Sequence, residues 1–141
     1  MNLPTQTDGS PAHELAAFIG RILLALIFVV SGIEKVMAPS GTIAYIASAG
    51  VPAAGLAYAG AAALECLGGL ALLVGWQVRW CALLLASFTV VAALVFHHAL
   101  ADQNQAIHFL KNLAMAGGLL QLYAFGNTAW SVDARRSRQR R

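Results

Sequence analysis

The chain has 141 residues, of which 59% are hydrophobic and only 11% are charged, with a formal net charge of +3. A soluble domain is about 45–50% apolar and roughly 25% charged, so this composition excludes an ordinary soluble globular protein and indicates one embedded in lipid. Four membrane spans of about 20 residues each would use most of the length, so we expect a single membrane domain.

Four hydrophobic segments follow a polar stretch at residues 1–14, which we expect to be a flexible leader. Lipid offers the backbone no hydrogen bonds, so each spanning segment must satisfy its own N–H and C=O groups, which selects helices. The sequence therefore predicts an all-α fold, a bundle of four transmembrane helices within residues 15–130. The predicted helices are residues 15–37, 52–76, 80–97 and 109–125.

The connections between these segments differ in length and polarity. In residues 38–51, Ile43 and Ile46 fall on one helical face, which predicts a short helix at the membrane interface in the first outer loop. Residues 77–79 make a tight turn, whereas residues 98–108 form a polar loop. These lengths are compatible with a bundle in which consecutive helices are neighbours.

The distribution of lysine and arginine predicts the orientation. Arg21, Arg79 and the five arginines of a basic tail at residues 131–141 lie on one side, against Lys35 and Lys111 on the other. Positive charge is retained in the cytoplasm, so we expect a multi-pass protein of the bacterial inner membrane with both termini cytoplasmic. We expect the tail to lie against anionic headgroups and not to bind nucleic acid.

A cleavable signal peptide that ends near residues 36–38 is an alternative interpretation of the first segment. Glu34 and Lys35 disfavour it, because they place charges directly before the cleavage site. The other three segments would keep their positions in either case.

Glu65 lies near the middle of the second segment, where an ionisable group costs at least a few kcal/mol unless it has a partner or a purpose. It shares a helical face with three small residues, Ala57, Ala61 and Gly68. Small residues let neighbouring helices approach closely, so we expect Glu65 to point into the bundle. A polar group that only fixes helix packing is the alternative interpretation.

Polar residues occur on one face of each of the other segments as well. The predicted inward faces are Arg21, Ala25, Phe28, Gly32 and Lys35 in segment one, Ala82, Ala86, Thr89, Ala93 and His97 in segment three, and Lys111, Met115, Gly118 and Leu122 in segment four. The candidate intramembrane polar cluster is Glu65, Lys111, Asn112, Lys35, His97 and Arg21. We expect Glu65 to pair with Lys111 or Lys35, with Asn112 as a supporting hydrogen-bond partner. Alternatively, the Lys35 side chain extends to the membrane interface, and Arg21 serves only as a topology anchor.

Histidines and cysteines do not predict a metal or haem site. His97 and His98 are adjacent, so their side chains diverge by about 100° on a helix. His108 can approach His97 across the loop, but histidines without a carboxylate are a weak metal signal. Cys66 and Cys81 form no zinc spacing, and we expect no disulfide between them.

Short motifs along the chain resemble the DoxX family of small bacterial membrane proteins. They are Gly20-Arg21, Ser31-Gly32-Ile33-Glu34-Lys35, Gly41-Thr42, Glu65 with Gly68-Gly69, Gly75 with Arg79, Phe96-His97, Phe109-Leu110-Lys111-Asn112-Leu113-Ala114 and Gly117-Gly118. The resemblance implies a four-helix inner membrane protein. It also implies an association with quinone-linked enzymes, because the family takes its name from a subunit associated with a terminal quinol oxidase, and relatives act with thiosulfate:quinone oxidoreductase.

The leading hypothesis is a membrane subunit of a quinone-linked redox or oxidative-stress system, without a catalytic residue that we can assign. Its expected partners are the lipid bilayer, a redox enzyme or quinone, and another copy of the chain in a homo-oligomer. A polar pocket near Glu65, Lys111 and His97 would hold the quinone. The alternatives are a structural adaptor without catalysis and, less favoured, a small-molecule transporter.

Overall fold

The computed structural model describes residues 10–126 and 130–139, and within these ranges all regular structure is helical. The described helices are α1 (Pro11–Met37), α2 (Pro39–Ser48), α3 (Ala54–Val74), α4 (Val78–Phe96), α5 (Gln103–Phe125) and α6 (Val132–Gln139). Among them α1, α3 and α4 are long and apolar enough to cross a membrane. α5 has 23 residues, but its first half contains glutamine, asparagine, histidine and lysine.

The four long helices form two antiparallel pairs. α1 packs along α3, and α4 packs along α5; the pairs join through α3 and α4 and, over a smaller area, through α1 and α5. α2 lies against the end of the first pair. We call the end where α1 finishes and α2 lies the Lys35 end, and the end where α1 begins and α6 lies the Arg21 end.

Glycines allow the helices to approach closely. A Cβ on Gly32 of α1 would lie 2.6 Å from Cys66 Sγ of α3, and one on Gly69 of α3 would lie 3.0 Å from the Val29 backbone nitrogen of α1. Residues without side chains let backbones meet at such distances, which is how helices pack in lipid. The described core is correspondingly rich in small residues, and its largest members are Phe28, Leu72, Leu85 and Leu119.

Most of the predicted inward faces are confirmed. The buried residues of α1 are Arg21, Ala25, Phe28 and Gly32. The buried residues of α4 include Ala82, Ala86, Thr89 and Ala93. On α5 the buried residues are Ala116 and Leu119; the predicted Met115, Gly118 and Leu122 are half-buried, and only Lys111 of the predicted face is exposed.

Helix caps explain where the structure differs from the predicted boundaries. α1 begins four residues early, at Pro11, because the Ser10 hydroxyl accepts a hydrogen bond from the His13 N–H and proline favours the first helical position. α5 begins six residues early, at Gln103, because the Asp102 carboxylate accepts from the Gln105 N–H at 2.9 Å. The first nine residues of the expected leader lie outside the described residues.

The short helix expected in the first outer loop is present as α2. The expected basic tail is helical over α6, and its last two residues lie outside the described ranges. The four-span count, the interfacial position of α2 and the orientation stay predictions.

Candidate functional site

A cavity of about 760 Å³ lies at the Lys35 end, between the two helix pairs. All four long helices and α2 contribute to its walls, and it is partly open to the surroundings. Most of its lining is apolar, from side chains such as Ile27, Ile46, Val95 and Met115. A mostly apolar concavity with few polar groups is typical of a small-molecule site.

An ion pair between α1 and α3 lies on the wall of this cavity. Lys35 Nζ is 2.7 Å from Glu65 Oε2. Ser31 joins the pair, because its hydroxyl accepts from Lys35 Nζ at 2.8 Å and donates to Glu65 Oε1 at 3.3 Å. The Glu65 side chain is only 6% exposed and that of Lys35 23%. The half-buried Lys35 ammonium thus neutralises the buried Glu65 carboxylate, which is the condition for keeping a charge in apolar surroundings.

Helix geometry explains why these three residues meet. Ser31 and Lys35 are four residues apart, so they lie on the same face of α1. The close approach of α1 and α3 at Gly32 brings Glu65 within reach of both. The Tyr58 hydroxyl also donates to the Lys35 carbonyl oxygen at 3.2 Å, which holds the start of α3 to the end of α1.

Aromatic side chains form the outer part of the cavity. Tyr45 of α2 stacks on Phe96 of α4, with ring centroids 5.2 Å apart and an interplanar angle of 21°. His97 also lines the cavity, and its Nδ1 lies 2.9 Å from Gln105 Oε1. Its ring stacks on that of His108 at 5.1 Å, so the expected approach across the loop is confirmed.

Among the described residues, no cluster of three or more histidine, cysteine or acidic side chains has the arrangement that would hold a metal ion. The two cysteines are free thiols and form no disulfide. Cys66 packs against Gly32, which is the packing role of a small apolar side chain.

Four of the six predicted cluster residues line the cavity, namely Glu65, Lys35, His97 and Asn112. The pairing of Glu65 is resolved in favour of Lys35. Lys111 is exposed, because the inward face of α5 passes through Asn112 and places the preceding side chain about 100° away. Ser31, and not Asn112, supplies the hydrogen bond to Glu65.

Arg21 lies away from the cavity, at the opposite end of the bundle. It is 1% exposed, donates to the Trp130 carbonyl oxygen at 2.8 Å and lies over the Phe18 ring at 5.3 Å. It therefore connects α1 to the segment before α6 and does not belong to the Glu65 cluster.

Ser31, Tyr45 and Phe96 line the cavity but were not predicted from the sequence. The spacing of four between Ser31 and Lys35 was a usable signal, since such pairs face each other on a helix. The stacking of Tyr45 on Phe96 depends on how α2 folds back over α4, which no local pattern specifies.

Comparison with known proteins identifies the family of this chain. The DoxX family profile matches residues 16–98. The inner membrane protein YqjF of Escherichia coli is 36% identical over 121 residues, which cover 86% of this chain and 92% of that protein. The inner membrane protein YphA of Escherichia coli is 33% identical over 140 residues, which cover 96% of this chain and 100% of that protein. No solved structure matches significantly. With its long apolar helices and these matches, the chain is an integral membrane protein of the DoxX family.

Proposed function

We propose that this protein is a membrane subunit of a quinone-linked redox or oxidative-stress system, and that the cavity at the Lys35 end binds the quinone head group. The observation that carries the proposal is the Lys35–Glu65 ion pair on the wall of a largely apolar cavity of about 760 Å³. Cavities that bind small molecules measure roughly 300–1,000 Å³ and place a few polar groups within apolar walls.

The lining offers both hydrogen-bond donors and flat apolar faces. A bound quinone would supply carbonyl oxygens that accept hydrogen bonds. Lys35 carries three N–H donors, of which Glu65 and Ser31 accept two, so the third is left for a ligand oxygen. The Asn112 amide is a second donor on the α5 wall. Phe96 and Tyr45 provide aromatic surface against which a ring can pack.

Glu65 is the proton-carrying residue in this proposal. Quinone reduction takes up protons with electrons, and the electrons would come from a partner oxidoreductase. A carboxylate at the cavity wall is suited to proton transfer, since it can hold and release a proton within hydrogen-bond reach of a ligand. In the ion pair with Lys35, Glu65 is a carboxylate, so it would first take up a proton from water at the open side of the cavity, pass it to the reduced quinone oxygen and return to the pair.

We further propose that α5 is the fourth span and that the Arg21 end faces the cytoplasm of a bacterial inner membrane. α5 is antiparallel to α4 and, at 23 residues, is longer than α3 with 21 and α4 with 19, which supports a crossing. Arg79, Arg135, Arg136 and Arg138 are exposed at the Arg21 end, and positive charge favours the cytoplasmic side. The two curated relatives are named as inner membrane proteins.

The test is a pull-down in mild detergent from native membranes, with the bound proteins and lipophilic small molecules identified by mass spectrometry. We expect quinone or a redox enzyme to be recovered with the wild type and lost with Glu65→Gln. Lys111→Gln changes an exposed cation outside the cavity and is expected to keep the ligand. Recovery of lipid alone with the wild type would overturn the quinone proposal.

A structural role is the second candidate, and a specific observation favours it. Ser31 joins the Lys35–Glu65 pair into a network that connects α1 to α3 without any ligand. Such networks fix how helices pack. If Glu65→Gln weakens the fold while quinone never binds the wild type, the network is a packing element and the protein is an adaptor.

A further inference from the structure

α6 is fixed to the bundle and is not a free tail. The Asp133 carboxylate accepts hydrogen bonds from the Gln77 and Val78 N–H groups, each at 3.0 Å. The Asp133 N–H donates to the Gly75 carbonyl oxygen, also at 3.0 Å. The first N–H groups of a helix have no partner within that helix, so Asp133 supplies the cap that α4 itself lacks.

The close contact between the end of α3 and the segment before α6 requires a glycine at position 75. Gly75 has φ +75°, and a Cβ there would lie 2.5 Å from Ser131 Cβ. Ser131 is 3% exposed, and its hydroxyl accepts from the Ala134 N–H at 3.1 Å at the start of α6. The glycine at the end of α3 therefore both permits the turn and leaves room for the segment that leads into α6.

Docking through Asp133 determines where the arginines of α6 point. At 100° per residue, Arg135 and Arg138 lie on the side of α6 opposite Asp133, and Arg136 lies at its flank. All three are exposed. Among the described residues at the Arg21 end, the acidic ones are Glu14 and Asp133, and the carboxylate of Asp133 is bonded to the start of α4. This end therefore presents a positively charged surface in a fixed position.

Exposed tryptophans indicate that this surface lies at the depth of the lipid headgroups. Trp76, Trp80 and Trp130 are exposed at the same end, at 45%, 63% and 55%. Indole side chains concentrate at the membrane–water interface, so the helix ends and the arginines of α6 lie at that level. This placement favours a lipid as the occupant over nucleic acid, which would approach from the aqueous side.

We propose that Arg135, Arg136 and Arg138, which we call the α6 arginine surface, form a binding site for anionic phospholipid headgroups, and that Asp133 positions it. The site depends on α6 being docked as well as on its charge. Each arginine near an anionic membrane surface is expected to strengthen binding about fivefold. Arginine also pairs with phosphate through two parallel hydrogen bonds, which favours this residue at such a site.

The experiment is native mass spectrometry of the purified full-length protein, titrated with phosphatidylglycerol or phosphatidylcholine. Three variants are compared with the wild type: the triple variant Arg135→Gln, Arg136→Gln and Arg138→Gln; the undocked variant Asp133→Ala; and Lys111→Gln, which removes an exposed cation at the opposite end. Circular dichroism and gel filtration verify that each variant is folded and monodisperse.

We expect the wild type to prefer phosphatidylglycerol, and the triple variant to lose about 100-fold in affinity for it. Asp133→Ala should weaken binding by about fivefold or more, because the arginines are no longer held in place, although the change makes the chain more positive. Lys111→Gln should bind as the wild type does. Tighter or unchanged binding by Asp133→Ala would overturn the positioning role, and unchanged binding by the triple variant would overturn the site.

Discussion

The Lys35–Glu65 pair connects the packing of α1 against α3 with the chemistry of the cavity. Glu65 is buried and Lys35 is half-buried, so the carboxylate depends on Lys35 and on Ser31. Removing one partner of a buried pair leaves an uncompensated charge, whereas replacing both with apolar side chains of similar size costs little. This asymmetry gives a direct test of the network.

Lys35→Met is expected to lower the free energy of unfolding by about 1–3 kcal/mol, because Glu65 is left buried without its cation. The double variant Lys35→Met with Glu65→Leu should recover most of that loss. The measurement is unfolding in mixed micelles followed by tryptophan fluorescence. Equal stability of the single variant and the wild type would show that Glu65 does not depend on Lys35.

How far the sequence predicts this site depends on how local each signal is. Helical spacing alone predicts that Glu65 points into the bundle. It also predicts one inward face of α1, with Arg21, Ala25, Phe28 and Gly32. The structure confirms that all five residues are buried. The choice between Lys35 and Lys111 depends on the rotation of α5 about its axis. The inward face of α5 runs through Asn112, Ala116 and Leu119, and the sequence alone did not fix that rotation, so it left the pairing open.

Contacts between helices at glycines determine how closely α1 and α3 pack. A Cβ at Gly32 would lie 2.6 Å from Cys66 Sγ and 2.9 Å from the Cys66 backbone nitrogen. The sulfur can move, whereas the backbone nitrogen cannot move without the whole helix. Gly32 is therefore needed for the spacing that lets Lys35 reach Glu65.

Gly32→Ala is expected to destabilise the protein by about 1–3 kcal/mol, as overpacking does in other cores. Gly20→Ala on the same helix is the matched control, because nothing lies within 4 Å of its Cβ position and alanine favours a helix. Adding Cys66→Ala should restore only part of the loss, because the backbone contact persists. The check is the same mixed-micelle unfolding; equal stability of the two glycine variants would contradict close packing at Gly32.

Element boundaries were less predictable than element identities. The four hydrophobic segments identify α1, α3, α4 and α5, but Ser10 and Asp102 begin two of these helices within stretches that appear polar in sequence. Each of these helices begins where one side chain accepts a hydrogen bond from a backbone N–H of the first turn. Which N–H that side chain reaches determines the first residue of the helix. The docking of α6 through Asp133 was not predictable, because 55 residues separate it from Val78.

At the scale of the whole molecule, the proposed topology places the α4–α5 loop and α6 on opposite sides of the membrane. This follows only if α5 crosses, since α5 connects the two. Ala101 in the loop and Ser137 in α6 are both exposed. They are suited to a labelling test once Cys66 and Cys81 are replaced by alanine.

In spheroplasts, a membrane-impermeant maleimide should label Ala101→Cys from outside, and Ser137→Cys only after lysis. Labelling of both positions from the same side would show that α5 does not cross. Labelling of Ser137→Cys alone in intact spheroplasts would reverse the proposed orientation while leaving four spans.

Photo-crosslinking with an azidoquinone tests most directly whether the cavity at the Lys35 end binds a quinone. The purified protein is irradiated with the probe, and the labelled peptides are identified by mass spectrometry. We expect label within residues 38–48 and 88–97, two segments that contribute lining side chains to the cavity, with loss of label in excess unmodified quinone and in Glu65→Gln. Label confined to lipid-facing positions of α3 such as Leu67 and Leu70, unaffected by competitor, would contradict the claim.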